Sequence, residues 1–187
     1  HDYIKDVCRR LAREGYVAIA PDYFDRAGDP APMTDMDAIR NIVGAANNEQ
    51  VMGDTHGAIE WLKAQSFSND HIGITGFCYG GGVSHAAAVA YPELAAAVPF
   101  YGRQARPEDV PKVKAPLLIH FAENDANVNA TWPAYEAALK AAGTHYEAHF
   151  YPGTSHGFHN DSTPRYDEAA ANLAWDRTIE WFRRHLG

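Results

Sequence analysis

The sequence predicts an α/β fold with a mostly parallel sheet flanked by helices. Helical and strand patterns alternate along nearly all of the 187 residues. The helical stretches between strands run to roughly 10–15 residues, the length of a crossover in a βαβ unit. Glycine and proline punctuate the boundaries. Ile4, Val7, Cys8 and Leu11 recur at helical spacing, so the chain opens on an amphipathic helix that Gly15 ends as a C′ residue. Tyr16–Ala20 reads as a buried strand closed by Pro21-Asp22, and Gly28, Pro30 and Pro32 mark a loop. Thr34-Asp35-Met36-Asp37 has capping-box spacing, so a helix is expected to start there. Glu49–Lys63 is helical with Val51, Ile59 and Leu62 on its apolar face, and His71–Thr75 is a short strand. Gly80–Tyr91 is an Ala-rich helix that Pro92 stops; Ala95–Phe100 and Pro116–Phe121 are strands joined by a connection over Gly102–Lys114. Trp132–Ala142 is a helix closed by Gly143, Tyr146–Tyr151 a strand, and Asp167–His185 a long terminal helix. No repeat, low-complexity tract or linker interrupts this rhythm, which implies one domain over residues 1–187.

Composition narrows the function. Sixteen Lys and Arg against 24 Asp and Glu give a net charge of −8, which argues against a nucleic-acid partner, since such surfaces need clustered cations. Apolar stretches break within about ten residues, well short of the ~20 of a membrane span. Two cysteines cannot make a disulfide framework. A hydrophobic fraction of 46% is ample for a core.

The sharpest chemical signal is Gly76-Phe77-Cys78-Tyr79-Gly80-Gly81, set between a predicted strand and a predicted helix. It is the G-x-S-x-G nucleophile elbow with Cys in place of Ser. So tight a turn strains the backbone, and glycines at 76 and 80 are expected to remove side chains that would clash. The Tyr79 amide is the expected oxyanion donor, and the helix N-terminus behind Cys78 is expected to favour a thiolate. Read alone, a Cys after a strand is more often an inert packing residue. Cys8, on the apolar face of its helix, reads that way.

A nucleophile needs a base and an orienting acid, which belong in loops after later strands. Asp125 follows Leu117–Phe121 in the turn Ala122-Glu123-Asn124-Asp125, with Glu123 as the rival acid. His156 follows the strand ending at Tyr151. The order Cys78, Asp125, His156 fits an open α/β sheet whose C-terminal strand ends carry the site. His156 and His159 form H-x-x-H, but no third ligand stands at a recognisable spacing, so no metal is assigned. Tyr23, Tyr101, Trp132 and Phe158 are candidate pocket aromatics, although single aromatics are more often core.

Together these segments resemble the dienelactone hydrolase family of α/β-hydrolases. The resemblance rests on Asp6–Ala12, Ala20-Pro21-Asp22, the Gly76–Gly81 elbow, Tyr151-Pro152-Gly153 and His156-Gly157-Phe158. A subgroup with Val98–Gln104 and His159–Pro164 is the nearest in pattern. The resemblance implies a Cys78, Asp125, His156 triad, hydrolysis of a small-molecule ester or lactone through a thiol-ester acyl-enzyme, and no cofactor. It also points to Arg103, Tyr101, Phe158 and Asn160 as substrate-binding residues.

Two departures stand out. The family's Glu-bearing loop, which helps ionise the Cys and supplies a second oxyanion donor, precedes the helix that opens this chain. The 187 residues are therefore expected to be a fragment, because a strand missing between Tyr16–Ala20 and the elbow strand leaves a gap of unpaired backbone groups; a missing N-terminal segment of the same protein or a second copy in a homodimer is the expected macromolecular partner. Where family members place an Arg four residues after the His, this chain has Asn160, and Arg103 or Arg165 is left to compensate. The competing functions are an amidotransferase-type Cys enzyme, disfavoured because Phe158 stands where that group has Glu, and a degenerate hydrolase serving as a scaffold. The resemblance leaves the compartment open between cytoplasm and periplasm.

Overall fold

A computed structural model of the chain describes residues 2–23 and 48–187, in two compact units, His1–Ser68 and Asn69–Gly187. The expected loop at Gly28–Pro32 and the capping box at Thr34–Asp37 lie outside the described residues.

In the first unit, helix α1 (Asp2–Arg13) buries Tyr3 and Val7, with Ile4, Cys8 and Leu11 only half-buried. The buried stripe is thus turned slightly from the expected one. Its end follows expectation. Gly15 sits at φ +94° and its N–H donates to Ala12 O at 3.0 Å, while the Tyr16 N–H donates to Leu11 O at 3.2 Å. This pair of bonds is a Schellman cap, which a residue with a Cβ adopts only under strain. Helix α2 (Asn48–Ala64) buries Val51, Thr55 and Ile59. The Tyr23 hydroxyl is hydrogen-bonded to Thr55 Oγ1 at 2.9 Å, tying that candidate pocket aromatic into the unit's own packing. The expected strand at Tyr16–Ala20 is not formed among the described residues, and Val17 and Ile19 are exposed. An apolar run supplies the side chains of a strand but not the neighbour whose ladder defines one.

The second unit holds a four-stranded, wholly parallel sheet in the order β1 (Gly73–Phe77), β2 (Ala96–Phe100), β3 (Leu117–Asn124), β4 (Tyr146–Ser155). Helix α3 (Tyr79–Ala90) links β1 to β2. A 3₁₀ turn over Pro107–Lys112 lies inside the β2–β3 connection. A single-turn helix α4 (Ala126–Asn129) and helix α5 (Trp132–Ala142) link β3 to β4, and helix α6 (Glu168–Leu186) follows. Gly143 ends α5 at φ +67°, as expected, and the Asp167 carboxylate caps α6 by accepting from Ala170 N at 3.0 Å.

Side chains leave β3 alternately to two faces. On one, Leu117, Ile119 and Phe121 join Ala97 and pack against Ala88 of α3, Val110, Val113, and Tyr135 and Leu139 of α5. On the other, His120 stacks on Phe100 and bonds Thr178 Oγ1 of α6 at 3.0 Å. Helices therefore cover both faces, the arrangement that all-parallel sheets require. No helix among the described residues is long and apolar enough to cross a membrane.

Candidate active site

The elbow is built from one residue. β1 ends at Phe77 and α3 starts at Tyr79, leaving Cys78 alone to turn the chain at φ +56°, ψ −116°. That left-handed backbone is strained for any residue with a Cβ. Its surroundings hold it: the Cys78 N–H donates to Phe100 O at 3.1 Å, pinning the turn to β2. A Cβ at Gly76 would lie 2.1 Å from Gly80 O, so Gly76 is obligatory. The matching expectation for Gly80 is corrected, because a Cβ there meets nothing among the described residues. The close approach belongs instead to Gly81 and Gly102. A Cβ at Gly81 would sit 2.4 Å from Phe100 O, and one at Gly102 would sit 2.2 Å from Gly81 C. Helix α3 thus starts with its backbone against the backbone beyond β2. The Gly80-Gly81 doublet carried that signal in the sequence; Gly102 had none.

Cys78 is half-buried, and its burial pushes the thiol up to about 11, with the Arg165 guanidinium pulling it down and the Asp125 carboxylate pushing it further up. Desolvation therefore opposes the thiolate that the helix N-terminus was expected to favour, and outweighs the nearby charges. Tyr79 is the first residue of α3, where backbone N–H groups point along the axis toward the elbow instead of into the i−4 ladder.

Asp125 and His156 meet through a defect in the sheet. The β3–β4 register runs regularly to Ala122↔Tyr151, then jumps to Asn124↔Ser155. β4 advances four residues while β3 advances two. The bulge brings His156 level with Asp125; without it Thr154 would stand there. His156 Nδ1 and Asp125 Oδ2 lie 2.7 Å apart. The rival acid, Glu123, is occupied elsewhere: its carboxylate accepts the Gly153 N–H at 2.6 Å. Thr154 Oγ1 donates to Tyr151 O at 2.6 Å and accepts from the Glu123 N–H at 3.4 Å. These bonds satisfy the amides that the bulge takes out of the ladder.

Two residues expected to meet substrate are buried. Tyr101 and Phe158 are 1% and 0% exposed, and the Tyr101 ring packs at 5.1 Å from His156 and 5.3 Å from Phe158. Both are buried; Tyr101 packs against the His156 ring, and Phe158 packs against Tyr101 and Tyr151. The Asn160 side-chain oxygen accepts from both N–H and Oγ of Ser162 in an Asx turn. Arg103 is exposed beside Gly82 on α3, and the cation whose field reaches the Cys78 sulfur is Arg165. His159, the second member of H-x-x-H, is buried and stacks on Phe77 at 5.0 Å. Trp132 packs on Phe121 at the edge of the core, and Cys8 is half-buried in α1.

Comparison with known proteins identifies the family. The sequence profile of the dienelactone hydrolase family matches residues 1–186. A Salmonella typhi protein named as a carboxymethylenebutenolidase is 34% identical over 199 residues, covering 100% of this chain and 74% of that protein. A Methylorubrum extorquens protein of the same name is 35% identical over 198 residues, covering 99% and 68%. Among solved structures, a Klebsiella pneumoniae protein described as a dienelactone hydrolase is similar with a TM-score of 0.90 at 33% identity, over 98% of this chain and 82% of that one.

Proposed function

The chain belongs to the dienelactone hydrolase family, α/β-hydrolases acting on lactone or ester bonds, and on that premise we propose that Cys78 is its nucleophile, His156 its base and Asp125 the orienting acid. The observation that carries this reading is the 2.7 Å bond between His156 Nδ1 and Asp125 Oδ2, at the carboxyl end of the parallel sheet, the same end at which β1 leads into the Cys78 elbow. With Nδ1–H donated to Asp125, Nε2 is the free acceptor of the ring.

In the first half-reaction, Nε2 takes the Sγ proton as the sulfur attacks the carbonyl carbon, which suits a thiol that burial keeps protonated. The Tyr79 N–H donates to the resulting oxyanion. Collapse breaks the C–O bond, His156 returns the proton to the leaving alkoxide, and a thioester remains on Cys78. A water then attacks the thioester with His156 again as base, releasing the acid and restoring the thiol. For a lactone the leaving alkoxide stays tethered to the acyl group, and the product is a hydroxy acid. The steps use the Cys78 and His156 side chains, the Tyr79 backbone amide and water.

Incubation with a chromogenic acetate ester tests this directly. Intact-mass spectra are expected to show an acetyl adduct on the Cys78 peptide, and iodoacetamide is expected to remove activity in proportion to Cys78 labelling. The Cys78→Ala variant should lose on the order of 10³-fold or more in rate. Full turnover by protein whose Cys78 is alkylated would overturn the assignment.

A further inference from the structure

Gln104, on the segment that leaves β2, is a buried polar side chain that the reaction does not touch. Its amide uses both kinds of group it carries. Nε2 donates to Val128 O at 3.1 Å and to Gly102 O at 3.4 Å, and Oε1 accepts from the Thr131 hydroxyl. The two carbonyls only accept, so the NH2 faces them and Oε1 is left for Thr131. Val128 lies in α4, whose N-cap is Asp125. Four residues make one turn, and one turn does not hold itself in water, so its position is set from outside. Asn129 Nδ2 donates back to Ala122 O at 2.8 Å and to Glu123 O at 3.3 Å, tying the turn to β3. Gln104 ties it to the other side. Gly102, whose carbonyl Gln104 also holds, is the residue whose backbone stands against Gly81 at the start of α3.

We propose that Gln104 is a positioning residue of this site: its side-chain amide clamps the single turn that follows Asp125 to the backbone packed against the elbow, and so fixes where the Asp125 carboxylate meets His156. The inference rests on Asp125 being the orienting acid. Asn129 N–H donates to Asp125 O at 2.9 Å, so a displacement of the turn reaches the Asp125 backbone directly. The bond from Asp125 to His156 is short, 2.7 Å, and tolerates little such movement. Residues of similar length do not replace the amide. Glu offers no donor to the two carbonyls, and Met offers no N–H or O–H at all.

The test measures Gln104→Met and Thr131→Val in the full chain against Val110→Ala, which trims a buried core side chain. Each protein is followed by its thermal midpoint and by kcat and KM on a chromogenic acetate ester. The third readout is the downfield proton resonance of His156 Nδ1–H, assigned by its loss in His156→Gln. Gln104→Met is expected to lower kcat roughly ten- to a hundredfold with KM little changed, and to shift that resonance upfield or broaden it. Thr131→Val, at an exposed residue, should move kcat and the resonance in the same direction by less. Val110→Ala should lower the thermal midpoint and leave kcat and the resonance in place. An unchanged kcat and resonance in Gln104→Met overturns the proposal, and so does a loss of kcat in Val110→Ala as large as that in Gln104→Met. Should Gln104→Met not fold, an unchanged resonance in Thr131→Val overturns it alone. The resonance reads the Asp125–His156 bond whatever the nucleophile is, whereas failure of the nucleophile assignment shows separately, as ester turnover by protein with alkylated Cys78.

Discussion

Asp125 and Glu123 are two carboxylates two residues apart at the end of β3, and the structure divides their work. Asp125 meets the His156 ring, whereas Glu123 meets the Gly153 amide of the bulge. Asp125→Asn keeps the shape but removes the charge that fixes the imidazole tautomer. It is expected to lower kcat by roughly 10³–10⁴-fold with KM little changed, measured by steady-state hydrolysis of an activated ester. At Glu123 the requirement is for an acceptor. Glu123→Gln keeps an oxygen toward Gly153 N and should retain most activity. Glu123→Ala loosens the bulge and should cost roughly ten- to a hundredfold in kcat, because catalysis is sensitive to displacements of about 1 Å. Equal losses in the two Glu123 variants would mean that its charge, and not its bond to Gly153, is what matters.

The strand–elbow–helix unit depends on backbone meeting backbone, and its tolerance to methyl groups is correspondingly uneven. Gly76→Ala, Gly81→Ala and Gly102→Ala would each place a Cβ within 2.4 Å of main-chain atoms that cannot swing aside. Each is expected to destabilise the fold by about 3 kcal/mol or more, or to prevent folding. Gly80→Ala adds its Cβ to open space in a helix, so its thermal midpoint should hold or rise slightly. Thermal melts of the four variants separate the two groups, and an equally damaging Gly80→Ala would contradict the geometry. Sequence periodicity placed Trp132–Ala142 without error and α2, α3, β2 and α6 to within a residue or so, because helical spacing and Gly, Pro or Asp punctuation are local signals. β3 and β4 run three and four residues past their expected ends, since hydrogen bonding continues through polar Glu123, Asn124 and the Pro152–Thr154 bulge. Tyr16–Ala20 failed for the opposite reason: its side chains suit a strand, but pairing is a property of two segments. In the site, order and motif identified the Asp125–His156 pair and the elbow. Burial was not legible, and burial is what closes Tyr101 and Phe158 off from solvent and raises the Cys78 thiol.

Across the second unit, histidines held neutral inside the protein tie stability to pH. His85, on the helix that presents Cys78, is fully buried with Nδ1 3.2 Å from the Tyr135 hydroxyl, and burial lowers its pKa from 6.5 to about 3. His120, in the middle of β3, is also sealed from water between the Tyr151 hydroxyl and Thr178 Oγ1. Its pKa is lowered well below 6.5, first by burial and then by the nearby His149, Arg177 and His159. In the unfolded chain both rings protonate as pH falls through 6.5, while the folded state resists. The unfolded state therefore binds more protons, and the stability present above pH 6.5 is lost progressively as pH falls toward 3. His85 alone contributes a slope of about 1.4 kcal/mol per pH unit in that window, and His120 acts in the same direction. Against a typical total of about 5–15 kcal/mol, a drop from pH 6.5 to 5 is then a large fraction of the whole. Urea unfolding at pH 7.5, 6.0 and 5.0 is expected to show a steep loss of midpoint below pH 6.5. His85→Gln keeps a polar partner for Tyr135 but cannot titrate. It should start less stable and lose stability more slowly on acidification, its slope shallower by about 1.4 kcal/mol per pH unit. Parallel slopes for the two proteins would show that His85 protonates without unfolding, and would place the acid sensitivity elsewhere in the molecule.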